Sequence, residues 1–210
     1  MGNKIARFFR PIGKFLSVII PLKVVRLFKV IYNSLLSGYI SGKLKHCGKG
    51  FSIESPCYYQ GLNHITIGDN FSSFAGLRIE AYQKHLNNNY TPELIIGNNV
   101  SVNHDCHFGC VNKIFIGNNV LIASKVFITD HFHGSSDTES LSLPPSERKV
   151  QSRGPVIIED NVWIGEGVAI MPGTTIGANC IIGANAVVTK SFPANSVIGG
   201  NPAKIIKTIQ

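Results

Sequence analysis

The chain has 210 residues, enough for one domain with a substantial core and too few for two full ones. A content of 44% hydrophobic and 15% charged residues, with 21 glycines, excludes a disordered chain and points to a compact, turn-rich protein. The formal charge of +8 is unevenly placed, and five cysteines without repeated CxxC pairs make no disulfide framework, which suits a reducing cytoplasm.

Residues 1–49 carry ten Lys or Arg and no acid. Ile5, Phe8, Phe9, Ile12, Leu16, Ile19 and Ile20 recur at helical spacing, so a basic amphipathic helical segment is expected, started, kinked or ended at Pro11 and Pro21. The apolar run 15–22 falls short of the roughly 20 residues a membrane span requires. No small-x-small cleavage site follows it, so neither a span nor a signal peptide is expected. Two readings stay open for residues 1–35: peripheral attachment to anionic lipid, or packing on the end of the next domain or on a neighbouring subunit.

Residues 50–210 form the main domain. From Ile158 the chain divides into IEDNVW, IGEGVA, IMPGTT, IGANCI, IGANAV and VTKSFP, with Ile158, Ile164, Ile170, Ile176, Ile182 and Val188 at strict six-residue spacing. A helix repeats every 3.6 residues and a strand every 2, so a period of six requires short strands joined at regular corners. Three units make an 18-residue coil of triangular section, and stacked coils bury one aliphatic column. The expected fold is therefore all-β, a left-handed parallel β-helix. Asn70, Asn99, Asn119, Asn161, Asn179 and Asn185 each occupy the fourth place of a unit, where a tight corner uses the tolerance of Asn for left-handed backbone.

The same register reaches back through Ile122, Ile116, Ile96 and Ile67, and the coil length locates the interruptions. Ile67 to Ile96 holds eleven residues beyond one coil, Ile96 to Ile116 two, and Ile116 to Ile158 twenty-four. One long loop, 130–155, is thus extruded from the prism, and long loops on rigid scaffolds tend to carry function. It opens with DHFHG and ends with Arg148, Lys149 and Arg153.

The residues about 60–207 resemble the hexapeptide-repeat acyltransferases, in particular galactoside and maltose O-acetyltransferases and the O-acetyltransferases of surface-polysaccharide synthesis. The pieces that carry the resemblance are IGNNVLIASKVFITDHFHG, VIIEDNVWIGEGVAIMPG, IIGANAVVTK and GGNPAKII. The resemblance implies an acetyl-CoA-dependent enzyme acting on a saccharide hydroxyl, a homotrimer with sites between subunits, and a catalytic His at the start of the extruded loop. An ungapped count places that His at His133, favoured here over His131. Where the family often has His-Pro, this chain has His133-Gly134 and an extra His. An Asn that positions the acceptor falls on Asn103, and the coenzyme A groove on Gly165, Gly183, Ala184, Thr189, Lys190 and Lys204. Lys204 stands where some members have Arg, so a phosphate would meet a point charge without a bidentate fork.

The chemistry fits those residue types. A sugar hydroxyl attacks a thioester only as its proton leaves, and His has the pKa nearest working pH, so direct transfer with His133 or His131 as general base is expected. The bland reading is that one of the two merely orients the loop. Lys190, Lys204 and Lys207 supply positive charge for phosphates, while Gly165 and Gly183 also sit where this repeat uses Gly for backbone reasons. His104, Cys106, His107 and Cys110 invite a zinc reading. Cys106 by register points inward, and the His spacing does not match that of γ-class carbonic anhydrase, so no metal is expected. His104 and His107 are placed at the border of the sugar site.

The expected function is acetyl-CoA-dependent O-acetylation of a saccharide, free or lipid-linked, in the cytoplasm or at the inner face of the membrane. The alternatives are amino-sugar N-acetylation, a zinc hydratase, and a scaffold that lost activity. Nucleic-acid binding is set aside for want of an aromatic platform or recognition helix.

Overall fold

The computed structural model describes residues 2–135 and 137–209; Met1, Ser136 and Gln210, which fall within the expected segment, loop and domain, lie outside the described residues. Two helices, α1 (Gly2–Ile19) and α2 (Leu22–Ser41), precede a parallel β-helix of three faces. Face A stacks six strands from His46–Cys47 to Thr175–Ile176. Face B runs from Ser52–Ile53 to Ser196–Gly199 and is closed by an antiparallel strand, Lys204–Thr208. Face C runs from Tyr58–Gln60 to Val187–Val188.

The six-residue ladder forms the core: Ile158, Ile164, Ile170, Ile176, Ile182 and Val188 are all buried, as are the fifth-place residues Val162, Val168, Thr174, Cys180 and Ala186. Neighbouring coils align in register, Ile122 with Ile164 and Ile164 with Ile182, so each aliphatic side chain stacks on its equivalent one coil away. Cys106 is likewise an inward core residue, and burial pushes its thiol up to about 11.

The corner asparagines all adopt positive φ, between 55° and 60°. They do not form one set. Asn70, Asn99, Asn119, Asn161 and Asn179 lie along a single edge, each side-chain amide donating to the Oδ1 of the next at 2.9–3.1 Å, and Asn179 passes the chain on to Asn195. Asn185 sits on another edge, where Gly76, Asp105, Lys125 and Gly167 supply the same backbone shape.

Both large insertions leave the prism at the corner after face C. Residues 82–92 follow the strand Arg78–Ala81 and contain a small hairpin, Lys84–His85 with Asn88–Asn89. The 130–155 loop follows Phe127–Thr129; its base is an antiparallel pair, Phe132–His133 with Val150–Gln151. The Tyr90 hydroxyl donates to the Val150 carbonyl at 2.9 Å, tying the two excursions together.

Helix α2 closes the N-terminal end of the prism. Ile40 is buried against the first coil, Ser37 Oγ accepts from the Ile53 N–H at 3.0 Å, and Asn33 Oδ1 accepts from the N–H and hydroxyl of Ser55. Lys29 pairs with Glu54 at 2.7 Å. Packing on the domain end is thus true of α2. In contrast, every side chain from residue 5 to residue 23 is exposed. Among the described residues no helix is long and apolar enough to cross a membrane.

Candidate active site

The strand Phe127–Thr129 ends where the prism's 18-residue rule breaks, so Asp130 and His131 emerge together at the mouth of the long loop. Asp130 is completely buried, and its carboxylate is held by the backbone N–H groups of Val111 (2.9 Å to Oδ1) and Asn112 (2.8 Å to Oδ2). A buried carboxylate is tolerated only with such partners. Its Oδ1 also lies 2.9 Å from Nδ1 of His131.

The second neighbour of that nitrogen decides the tautomer. Thr129 Oγ1 is 3.2 Å from Nδ1 and donates its own proton to the His131 carbonyl, so it presents a lone pair to the ring. Nδ1 therefore faces two acceptors and carries the hydrogen. Nε2 is left with a free lone pair, and no described residue hydrogen-bonds to it.

The His131 ring lines a cavity of about 450 Å³, the size of an ordinary small-ligand site. Its walls come from face C (Arg78, His107, Phe127), from the short excursion (Tyr82, His85) and from the long loop (Phe132, His133). Gly109 lies between the two imidazoles: a Cβ there would stand 3.2 Å from Cε1 of His131 and 3.5 Å from Nε2 of His107.

His133 is exposed and set edge-on to His85, ring centroids 5.2 Å apart. Desolvation, and then His85 and His131, depress its pKa, and among the described residues no carboxylate pairs with its ring. The departure from His-Pro has a physical reason. Gly134 adopts a φ of 76°, outside the range of proline, and a Cβ there would stand 2.8 Å from Cδ of Arg148.

A second polar cluster adjoins His131, with Tyr82 edge-on to its ring, centroids 5.9 Å apart. Glu80 Oε2 receives the Tyr82 hydroxyl, Nε of Arg78 and, at 3.1 Å, Nε2 of His107. Burial raises the Glu80 pKa, but the hydrogen bonds from Tyr82 and Arg78 outweigh it and hold the carboxyl below its usual range. His107 lines the cavity, whereas His104 is exposed, tilted against Phe74, and lines neither cavity. Among the described residues, no three His, Cys, Asp or Glu side chains form a group able to hold a metal ion.

A second cavity of about 380 Å³ adjoins the first, the two sharing Phe132 and Met171 as lining; Gly134, Ser135, Leu141, Arg153, Pro172 and Thr189 line the remainder. The Arg153 guanidinium lies 4.9 Å from the Phe132 ring centre.

The model of the bacterial transferase hexapeptide (six repeats) matches residues 155–190. The chain is 44% identical to the putative lipopolysaccharide biosynthesis O-acetyl transferase WbbJ of Escherichia coli strain K12, over 74% of this chain and 77% of that one. The chain belongs to the hexapeptide-repeat acyltransferases. Galactoside O-acetyltransferase of the same bacterium is 36% identical over 57% of this chain and 56% of its own length. Among solved structures, a maltose O-acetyltransferase from Clostridium difficile matches with a TM-score of 0.52 at 30% identity, covering 82% of this chain and 74% of that one. AntD, an N-acyltransferase from Bacillus cereus solved with dTDP-4-amino-4,6-dideoxyglucose and coenzyme A, matches at 0.66 with 19% identity over 82% and 88%, a likeness of fold. The fold is thus the left-handed β-helix of this family, and the chain is an acyltransferase.

Within this acyltransferase the residues expected at the coenzyme groove divide into two places. Gly165, Gly183, Ala184 and Lys204 lie by the corner after face B, and Thr189 and Lys190 by the corner after face C. Gly165 is required by coil stacking: a Cβ would stand 2.7 Å from the Ala184 nitrogen and the Ile182 carbonyl. Only Thr189 of the six lines either cavity. Asn103 lies after the face-B strand Ser101–Val102, donates to the Ile122 carbonyl at 3.1 Å, and lines neither cavity of this chain. Sequence reasoning missed Asp130, Glu80, Tyr82 and His85. The eleven-residue excess between Ile67 and Ile96 was the signal for the last two.

Proposed function

We propose that this enzyme transfers the acetyl group of acetyl-CoA directly to a hydroxyl of a saccharide in surface-polysaccharide synthesis, with His131 as general base. The observation that carries the reading is the pair of acceptors on Nδ1 of His131, which leaves Nε2 as the basic nitrogen at the cavity wall. This reverses the order of preference drawn from the ungapped count, since His133 has no such partner. Asp130 acts as the positioning residue, fixing the ring and stabilising the imidazolium that forms.

Acetyl-CoA supplies the activated acyl group as a thioester. The His-lined cavity would hold the acceptor, and the adjoining one, with Phe132, Leu141, Met171 and Pro172, the apolar arm of the donor. Nε2 of His131 takes the hydroxyl proton as the oxygen bonds to the thioester carbon, then returns it to the sulfur as the C–S bond breaks. No acyl-enzyme is needed, and the imidazole ends neutral.

A homotrimer accounts for the scattered coenzyme residues. Gly183, Ala184 and Lys204 from one copy and Thr189 and Lys190 from the next would meet across a subunit boundary, and Asn103 would serve a neighbour's cavity. Closed cyclic assembly is the usual outcome for such a repeated contact.

The test is release of coenzyme A thiol in the presence of neutral and amino sugars. His131→Ala is expected to lower kcat by roughly 10²–10⁴, and His133→Ala to lower it far less. Equal losses in both variants would return the base to an open choice, and a preference for amino over hydroxyl acceptors would replace O-acetylation by N-acetylation.

A further inference from the structure

Helix α1 makes a surface for which the prism offers no partner. At 100° per residue, Ile5, Phe8, Phe9, Ile12, Phe15 and Leu16 fall within one third of its circumference, while Arg7, Arg10 and Lys14 lie on the other side. Phe8 is 68% and Phe15 67% exposed, although such side chains in a globular helix normally face a core. The obvious cover is already used, because α2 closes the prism end with Asn33, Ser37 and Ile40.

Charge identifies what covers it. The first acid of the chain is Glu54, and Lys29 holds it. A second copy of the segment would therefore bring ten more cations and no anion, and like charges at close range repel. A surface that accepts a row of apolar side chains and also carries dense negative charge is an anionic lipid bilayer.

We propose that α1 lies in the plane of an anionic membrane, its Phe8–Phe15–Leu16 stripe in the acyl boundary and Arg7, Arg10 and Lys14 on headgroup phosphates. The prism is then carried on α2 with its N-terminal end toward the lipid. The cavity is not far from that end: Phe127–Thr129 is the fourth strand of face C, three strand spacings or about 14 Å along the axis from Tyr58–Gln60. Resting on the proposed transfer to a saccharide, this makes the acceptor one that is presented at a membrane.

The experiment uses the full chain and vesicles of phosphatidylcholine with or without phosphatidylglycerol. Cosedimentation is expected only with phosphatidylglycerol, weakening as salt is raised. Replacing Arg7, Arg10 and Lys14 together by Gln should weaken it by about 100-fold, near fivefold per cation. Phe8→Glu with Phe15→Glu should abolish it, while coenzyme A release with a soluble methyl galactoside and the oligomeric state without lipid stay as in the parent. Equal binding to neutral vesicles, no binding at all, or binding that survives Phe8→Glu with Phe15→Glu would overturn the proposal. So would a change of oligomeric state in that variant, which would make the stripe a contact between copies. Loss of galactoside turnover in the parent chain would count against the transfer reading and leave the membrane result standing.

Discussion

The two halves of the prism follow one rule to different ends. Between Val156 and Val188 the coils run without insertion, and the interior is an aliphatic stack with Thr174 and Cys180 as its polar members. Between Ile65 and Pro155 the same coils open twice at the corner after face C, and every titratable group of the candidate site gathers around those openings. Regularity supplies the stability of this fold and interruption supplies its chemistry. Either property should therefore be removable with the other largely kept.

The sharpest break is at Asp130. Asp130→Asn keeps the size of the side chain but removes the carboxylate that holds Nδ1–H, so a loss of roughly 10²–10⁴ in kcat with little change in KM is expected. A merely structural Asp130 would move the thermal midpoint and leave that kcat-against-KM split absent. In the regular half the balance inverts. Ile170→Ala should cost about 2–5 kcal/mol in denaturant unfolding, because a fully buried rung leaves a cavity, with the KM of the folded fraction unchanged.

The corner amides come next. Asn119 has a φ of 55° and both donates to and accepts from its neighbours in the ladder. Asn119→Ala should cost about 1–2 kcal/mol through left-handed strain on a residue with a Cβ, plus the broken amide chain. Asn119→Gly should recover the strain portion alone. Equal stabilities for the two variants would show that the ladder, not the backbone, sets the cost.

The smallest expected effect is a pH slope. Desolvation, and then Arg78, depresses the pKa of His107, and desolvation, His85 and His131 depress that of His133. The folded protein therefore binds fewer protons than the unfolded chain near the ordinary His pKa, so stability falls as pH drops from neutral through that range. His107→Gln with His133→Gln should flatten this part of the unfolding profile; an unchanged slope would assign it to other groups.

The fold was legible because a period of six has one structural solution, and six buried rungs follow it without exception. The corner asparagines were legible for the same reason, though their division into a five-member edge ladder and a separate Asn185 was not, since unit position does not say which of three edges a corner occupies. The site was legible only as a loop. A count along the chain cannot tell His131 from His133, because the choice depends on the backbone N–H groups of Val111 and Asn112, about twenty positions earlier in sequence and one coil away in space. Glu80 and His107 are separated by 27 residues and meet only because adjacent face-C strands pair in register.

The bond from Tyr90 to the Val150 carbonyl has a consequence for how such an enzyme can be altered. The two excursions that wall the cavity leave one edge and lean on each other. They behave as a single cassette plugged into a standard rack. Exchanging 82–92 together with 130–155 between relatives should carry acceptor preference across intact, whereas exchanging either alone would leave half a wall without its brace.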